Sequence, residues 1–313
     1  MNKSSKIFVS GHNGLVGSAL VRQLQTEGYE NIVVRSHNEL DLTRQVDVEQ
    51  FFIDERPEYV FHAAARAGGI FANINYPADF MYENLAIETN VIRCASQYGV
   101  IKLLFIATTS VYPKNAEQPV NESSLLTGEL EPTNAAYGLA KIVGIKLCEY
   151  CNRQYGTEYI SVTPTNLYGI NDRYDPQMSH VIPALIRKFA EAVQNNSPQV
   201  EIWGDGKVYR EFLFSDDLAD ACIFLMDNYN SSDPINVGTG SDQLIFEVVQ
   251  MLREISGYKG EIVWDTSKPT GFFRRRTDCT KIDRLGWKPK ISLEDGLRAT
   301  YEDYLKNMEL YRR

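Results

Sequence analysis

The chain has 313 residues, 43% of them hydrophobic and 23% charged, enough to bury a large α/β core and ordinary for a soluble globular protein. Its net charge of −9 excludes a global basic field for nucleic acid or anionic lipid, so a phosphorylated ligand must find local cations. No apolar run approaches a membrane span, no secretory segment follows Met1, and five scattered cysteines (Cys94, Cys148, Cys151, Cys222, Cys279) suit a reducing, cytoplasmic setting.

Lys6-Ile7-Phe8-Val9-Ser10 reads as a strand ending in Gly11-His12-Asn13-Gly14-Leu15-Val16-Gly17, with an amphipathic helix following through Leu20, Val21 and Leu24. A G-x-x-G-x-x-G turn between strand and helix predicts dinucleotide binding. Gly11 and Gly14 permit the tight turn and the approach of a pyrophosphate to backbone N–H groups. Gly17 lets helix and strand pack closely, and the helix N-terminus favours negative charge. His12 reads as a solvent-facing turn residue. The next strand, Asn31-Ile32-Val33-Val34-Arg35, ends without the carboxylate that would take the adenosine ribose hydroxyls, and none comes before Glu39. Arg35 instead suits a 2′-phosphate, which points to NADPH; the alternative is a surface arginine.

A helix over 46–55 precedes Glu58-Tyr59-Val60-Phe61-His62-Ala63-Ala64-Ala65, whose small residues let backbone lie against a flat cofactor. A long helix is expected over 80–98. Lys102-Leu103-Leu104-Phe105-Ile106-Ala107 then reads as a buried parallel strand with Thr108 at its C-terminal end, where ligands bind in open α/β sheets. Strands alternating with helices predict a doubly wound parallel sheet. After a polar loop, Tyr137-Gly138-Leu139-Ala140-Lys141 opens a helix reaching about residue 155. Tyr137 and Lys141 share a helix face, and a cation one turn away is expected to pull the phenol pKa below its usual value of about 10. Cys148 and Cys151 lie within this helix as packing positions. Tyr-x-x-x-Lys alone is weak; a hydroxyl from Thr108 would complete the constellation.

A strand over 159–163 leads into Pro164-Thr165-Asn166-Leu167-Tyr168-Gly169. Beyond it the pattern predicts helices over 180–193, 215–228 and 244–255, strands near 200–203, 208–212 and 260–264, and a final helix from Leu293. The expected division is a dinucleotide-binding domain over 1–165 and a smaller α/β substrate lobe over 166–313, with interleaved segments.

With the glycine loop, Thr108 and the Tyr137/Lys141 pair in place, the chain resembles the extended short-chain dehydrogenase/reductases. Ala64-Ala65-Arg66-Ala67-Gly68-Gly69-Ile70, Leu130-Glu131-Pro132-Thr133-Asn134, Ser179-His180-Val181-Ile182-Pro183 and Arg210-Glu211-Phe212-Leu213 are similar to the GDP-L-fucose synthase family, as is nearly the whole chain. The resemblance implies a Rossmann domain with a substrate lobe, NADPH as cofactor, a GDP-linked 4-keto-6-deoxy-sugar as substrate, and a homodimer. Tyr137 would protonate the C4 oxygen, Lys141 would hold the nicotinamide ribose, Thr108 would replace the family's serine, and His180 would match its acid/base histidine. Gly11 through Gly17, Arg35, Asp41, Leu42, Ala64, Ala65, Asn166 and His180 would line the cofactor. Asn166, Lys188, Trp203 and Arg210 would hold the GDP-sugar; without the resemblance, Trp203 reads as core and Lys188 as helix surface. No metal site is expected.

Two positions depart from the family. Ser110 stands where the epimerisation mechanism uses a cysteine. A thiol with a pKa of about 8.5 exchanges protons near neutrality, whereas an unactivated serine hydroxyl is a poor base. This predicts ketone reduction with impaired epimerisation; the rival is a bifunctional 3,5-epimerase and 4-reductase in which another group serves. The second departure is Lys268-Pro269-Thr270-Gly271-Phe272-Phe273-Arg274-Arg275-Arg276, either a reshaped sugar pocket or a variable loop with an exposed basic run. A dehydratase is less favoured because Thr109 and Ser110 carry no carboxylate, and a silent NADP-binding protein would be marked by loss of Tyr137 or Lys141.

Overall fold

A computed structural model describes residues 1–176, 178–267 and 273–311. In chain order it contains β1 (Ile7–Ser10), α1 (Leu15–Thr26), β2 (Ile32–Val33), α2 (Gln45–Glu55), β3 (Tyr59–His62), α3 (Ile70–Asn75), α4 (Pro77–Gln97), β4 (Lys102–Ile106), α5 (Ala135–Tyr155) and β5 (Ile160–Pro164). There follow β6 (Asn166–Tyr168), α6 (Val181–Gln194), β7 (Gln199–Trp203), β8 (Tyr209–Arg210), β9 (Phe212–Phe214), α7 (Ser215–Asn228) and β10 (Ile235–Val237). The last elements are β11 (Gln243–Leu244), α8 (Ile245–Ser256), β12 (Glu261–Asp265), α9 (Thr280–Leu285), α10 (Leu293–Lys306) and α11 (Met308–Tyr311).

Six parallel strands form the main sheet in the order β10-β5-β4-β3-β1-β2. β1, β4 and β5 are buried at every position, which explains the apolar runs Ile7–Val9 and Leu103–Ile106 in the first two. One face packs on α1 and α7 through Leu20, Leu24, Leu218 and Cys222. The other packs on α2, α4 and α5 through Val48, Phe52, Val91 and Ile145. The sheet is therefore doubly wound. Chain order reverses at β1, which lies between β2 and β3, and the crevice beyond its C-terminal end is where such sheets take ligands.

The second lobe is built on three two-stranded ladders, β6/β9, β8/β11 and β7/β12. Tyr174, Ile186, Phe189, Val248, Leu252 and Tyr304 fill its core against α6, α8 and α10. The segment 208–212, expected as one strand, is split: β8 pairs with β11 and β9 with β6. The break falls at Glu211, a buried carboxylate that accepts from the N–H groups of Thr239, Gly240 and Thr277 and from the Thr277 hydroxyl. β10 was not legible because three residues carry no periodicity; it extends the main sheet beside β5, while α7 packs on α1. The chain thus returns to the first sheet after entering the second lobe. No helix among the described residues is long and apolar enough to cross a membrane, and all five cysteines are buried and free of disulfides.

Candidate active site

The glycine turn sits directly on the alanine run after β3. Gly11 has φ of +72°, and a β-carbon there would come within 2.8 Å of the Ala64 N and Cα atoms. A β-carbon at Gly17 would collide with the Gly11 carbonyl oxygen, so α1 can start where it does only with glycine at 17. Beneath the turn, Ser10 Oγ lies 2.7 Å from His62 Nδ1 and accepts from the Ala64 N–H at 3.1 Å. The result is a tight backbone turn at a helix N-terminus, through Asn13, Gly14, Leu15 and Val16, which fits a pyrophosphate. Arg35, beyond β2, pairs with Glu55, which also holds Lys6 at 2.6 Å, so two cations share one carboxylate there. Asp41 accepts from the Thr43 hydroxyl at 2.7 Å, which holds its pKa below the usual range, and the Leu42 carbonyl is tied to Asn90 at 3.0 Å.

Thr108 leaves β4 in an extended conformation and caps a 3-10 turn, Thr109–Val111. Its hydroxyl oxygen accepts from the Ser110 N–H at 3.2 Å. Ser110 Oγ accepts from Asn134 Nδ2 at 3.0 Å and, at 3.4 Å, from the Thr108 hydroxyl. A β-carbon at Gly138 would lie 2.7 Å from the Ser110 carbonyl oxygen, so α5 sits hard against this turn. From the other side the buried Arg275 guanidinium donates to the carbonyls of Thr109, Tyr112 and Pro113, at 2.6, 3.3 and 2.9 Å. Of the expected exposed basic run, then, Arg275 is buried and buttresses the Ser110 turn; Arg274 pairs with Asp242, and Lys268 to Phe272 lie outside the described residues.

Tyr137 is half-buried at the start of α5, edge-on to Phe80 with ring centroids 6.3 Å apart. Lys141 projects from the same face, its Nζ 5.9 Å from the Tyr137 ring centre. The expected depression of the phenol pKa is not what the structure gives. Burial raises it, and Glu88 opposes Lys141 and raises it further. The Lys141 ammonium lies 2.8 Å from the Glu88 carboxylate, both side chains being buried. Burial works against the ammonium, but Glu88 and Tyr137 leave its pKa above the ordinary lysine value. A β-carbon at Gly144 would collide with the Phe105 ring and lie 2.9 Å from Glu88 Oε2, so that glycine makes the room.

Sequence reasoning missed Glu88, Asn134 and Arg275. For Glu88 a signal exists: Phe80, Asn84, Glu88, Val91 and Ala95 recur at helical spacing as the buried stripe of α4, and a carboxylate on such a stripe must find a partner. Asn134 and Arg275 stand in stretches the sequence singles out, but no local pattern announces their contacts with the Ser110 turn.

His180 precedes α6 and is open to the cleft, where the surrounding protein lowers its imidazole pKa by desolvation. It is brought to the main sheet by Gly69, whose N–H donates to the Met178 carbonyl at 2.9 Å and whose missing β-carbon leaves space for the Ser179 carbonyl. Asn166 is tied to the Glu211 carbonyl at 2.9 Å. Lys188 donates to the Glu201 carbonyl at 2.7 Å and lies over the Trp203 ring, 5.6 Å from its centre. Trp203 is 43% exposed, so it is not core. Arg210 donates to the Tyr209 carbonyl at 2.6 Å, and burial lowers its guanidinium to about 10.

The family model described as the NAD dependent epimerase/dehydratase family matches residues 7–238. GDP-L-fucose synthase 1 of Arabidopsis thaliana is 53% identical, over 98% of this chain and 95% of its own. Two solved Campylobacter jejuni structures superpose on nearly the full length. A GDP-6-OMe-4-keto-L-xylo-heptose reductase matches with TM-score 0.93 and 41% identity, covering 98% of this chain and 99% of its own. A GDP-mannoheptose C4 reductase with NADP bound matches with TM-score 0.89 and 43% identity, covering 97% and 99%.

Proposed function

Since the chain belongs to the NAD-dependent epimerase/dehydratase family, among its GDP-L-fucose synthases, we propose that it is an NADPH-dependent C4 reductase of a GDP-4-keto-6-deoxy-sugar with impaired C3/C5 epimerisation. It is a GDP-sugar 4-ketoreductase, as its relatives named as C4 reductases and GDP-L-fucose synthases support. The observation that carries the reductase-only reading is the surroundings of Ser110. Its hydroxyl has a side-chain amide and a hydroxyl as partners, both donating to it, and neither is a base that could take its proton. An unactivated serine in that place cannot shuttle protons at the carbons beside the ketone near neutral pH.

The glycine turn, the Ala64–Ala65 backbone and Arg35 would hold NADPH, which when bound would supply the hydride for the ketone carbon. Tyr137 delivers its phenolic proton to the C4 oxygen as that oxygen takes up charge. A phenol held above its ordinary pKa stays protonated at neutral pH, so the acid is loaded before substrate arrives. Thr108 offers a hydroxyl at the end of β4 to the same oxygen; its 3.4 Å contact with Ser110 is long enough to be exchanged for a ligand. Lys141 keeps positive charge beside the phenol. On the other side of the cleft, Asn166, Lys188, Trp203 and Arg210 hold the GDP-sugar, and His180 stands ready as a proton-transfer group.

The bifunctional reading is favoured by one observation, the 53% identity to a protein named a GDP-L-fucose synthase. Turnover of GDP-4-keto-6-deoxy-mannose with NADPH in D₂O separates the two. Reduction without deuterium at C3 and C5 is expected; full incorporation with a GDP-L-fucose product overturns the reductase-only reading. The protein is further read as a cytoplasmic homodimer. Leu139, Val143 and Tyr150, exposed along one stripe of α5, support the dimer.

A further inference from the structure

We propose that Glu88 is a positioning residue of the reductase corner: it holds the Lys141 ammonium beside Tyr137 and sets how much of that charge reaches the phenol. The inference rests on the reading of Tyr137 as proton donor and Lys141 as its neighbouring cation.

Three features of the structure carry it. The carboxylate sits on the buried stripe of α4, fully out of water, and the ammonium at 2.8 Å is its ionic partner. Neither Glu88 oxygen receives a well-aligned hydrogen bond from another described residue, so its charge is committed to the lysine. Gly144 keeps the space open, since a β-carbon there would press on Glu88 Oε2 and the Phe105 ring. Room on α5 has been kept for an ion pair where an apolar contact would have packed more simply. Burying two charges is unfavourable unless they are well paired, and such pairs more often specify an arrangement than add stability.

The groups facing the pair leave its charges uncontested. From α5 these are Tyr137 and Cys148; burial holds the Cys148 thiol far above its usual value, so it stays neutral. From β3 it is His62, whose imidazole is pushed down to about 3 by burial and by Lys141, and which is therefore neutral at working pH. Tyr137 is the group left to feel the balance between carboxylate and ammonium.

The pH dependence of kcat/KM for NADPH-dependent ketone reduction tests this in Glu88→Gln. The glutamine keeps the volume and removes the charge. Lys141 then either acts on the phenol with its full charge or, buried without a counter-charge, gives up its proton. The first moves the alkaline limb of the profile to lower pH; the second takes away the cation that pulls the phenol down and moves the limb to higher pH, in either case by about one unit or more for a charge at this range. Glu88→Asp, which draws the carboxylate back by one carbon, should fall between the wild type and the glutamine. A role in packing alone would lower the melting temperature and leave the limb in place, and a limb that does not move overturns the proposal. If the glutamine chain does not fold, the aspartate carries the test alone: a limb coincident with the wild type's overturns it. Tyr137→Phe, assayed alongside, separates the two readings. Retained turnover there sinks the proton-donor assignment itself, whereas a dead phenylalanine variant with an unmoved glutamine limb sinks only the role of Glu88.

Discussion

Under the Tyr137 corner, the buried Glu88 carboxylate faces an ammonium at 2.8 Å; in the second lobe, the one bond the buried Asp172 carboxylate accepts among the described residues is from the Arg173 backbone N–H, at 2.7 Å, on one oxygen. Its other oxygen has no hydrogen-bond partner among the described residues, and burial pushes the acid up to about 7. The two carboxylates stand for two ways of meeting the same desolvation. Burial raises the acid in both, but at Glu88 a cation on a neighbouring helix opposes the rise. At Asp172 no such cation is placed, a proton neutralises the group, and the lobe takes on a pH dependence of its own.

The sharpest way to break this contrast is at the tyrosine the first pair serves. Tyr137→Phe removes the proposed proton donor while keeping the ring against Phe80. Loss of a general acid is expected to lower kcat by about 10²–10⁴-fold. NADPH affinity, read by fluorescence titration, should stay within a few-fold because the glycine cradle is untouched. Turnover near the wild-type rate would remove the reason for a permanent charge beneath this corner.

A second measurement sharpens the contrast from the other lobe. The Asp172 carboxyl has a folded pKa near 7 against about 3.9 in an unfolded chain, so the folded state holds the proton more tightly. The stability this contributes is fully present below about pH 4 and is lost as pH rises towards 7. Asp172→Asn should therefore match the wild type in thermal stability near pH 4 and exceed it at pH 8, by about 2–4 kcal/mol if the whole shift is realised. A wild-type stability that rises steadily from pH 4 to 8, unaltered by the asparagine, would show that Asp172 is paired after all. Asn171, next in the chain, donates to the Asn13 carbonyl at 2.9 Å, so this titration sits where the second lobe meets the glycine turn.

How much of this was legible in the sequence follows from where each contact comes from. The glycine turn and the Tyr137/Lys141 spacing are local, set by one strand–turn–helix and by one helical turn, and both were read from residue types alone. Thr108 was placed because a buried parallel strand announces its own end. The sign of the Tyr137 pKa shift was misread because it depends first on the depth of burial and then on Glu88, which comes from another helix. Arg275 illustrates the same limit: in sequence it belongs to a basic run, and its burial under the carbonyls of Thr109, Tyr112 and Pro113 is fixed only by the fold. β10 was missed because three residues in a sheet edge carry no period, and Glu211 split an expected strand through bonds to loops distant in the chain.

The smallest expected effect bears on whether the two sides of the cleft act separately at all. Lys188 and Trp203 form a half-open pair on α6 and β7, with the ammonium 5.6 Å from the ring centre. In the proposed GDP-sugar site the ring would stack on the base and the cation would meet the diphosphate, groups that do not change during hydride transfer. Removal of the ring should weaken ground state and transition state alike. Trp203→Ala is then expected to raise KM for the GDP-sugar about tenfold, the low end of an aromatic–base stack, with kcat within about twofold. Unchanged steady-state constants would return Trp203 to an ordinary surface contact of Lys188. A collapse of kcat with KM preserved would be more damaging. It would mean that the nucleotide side of the cleft closes onto the Tyr137 corner during the reaction, and that the charge arrangements of the two lobes cannot be considered independently.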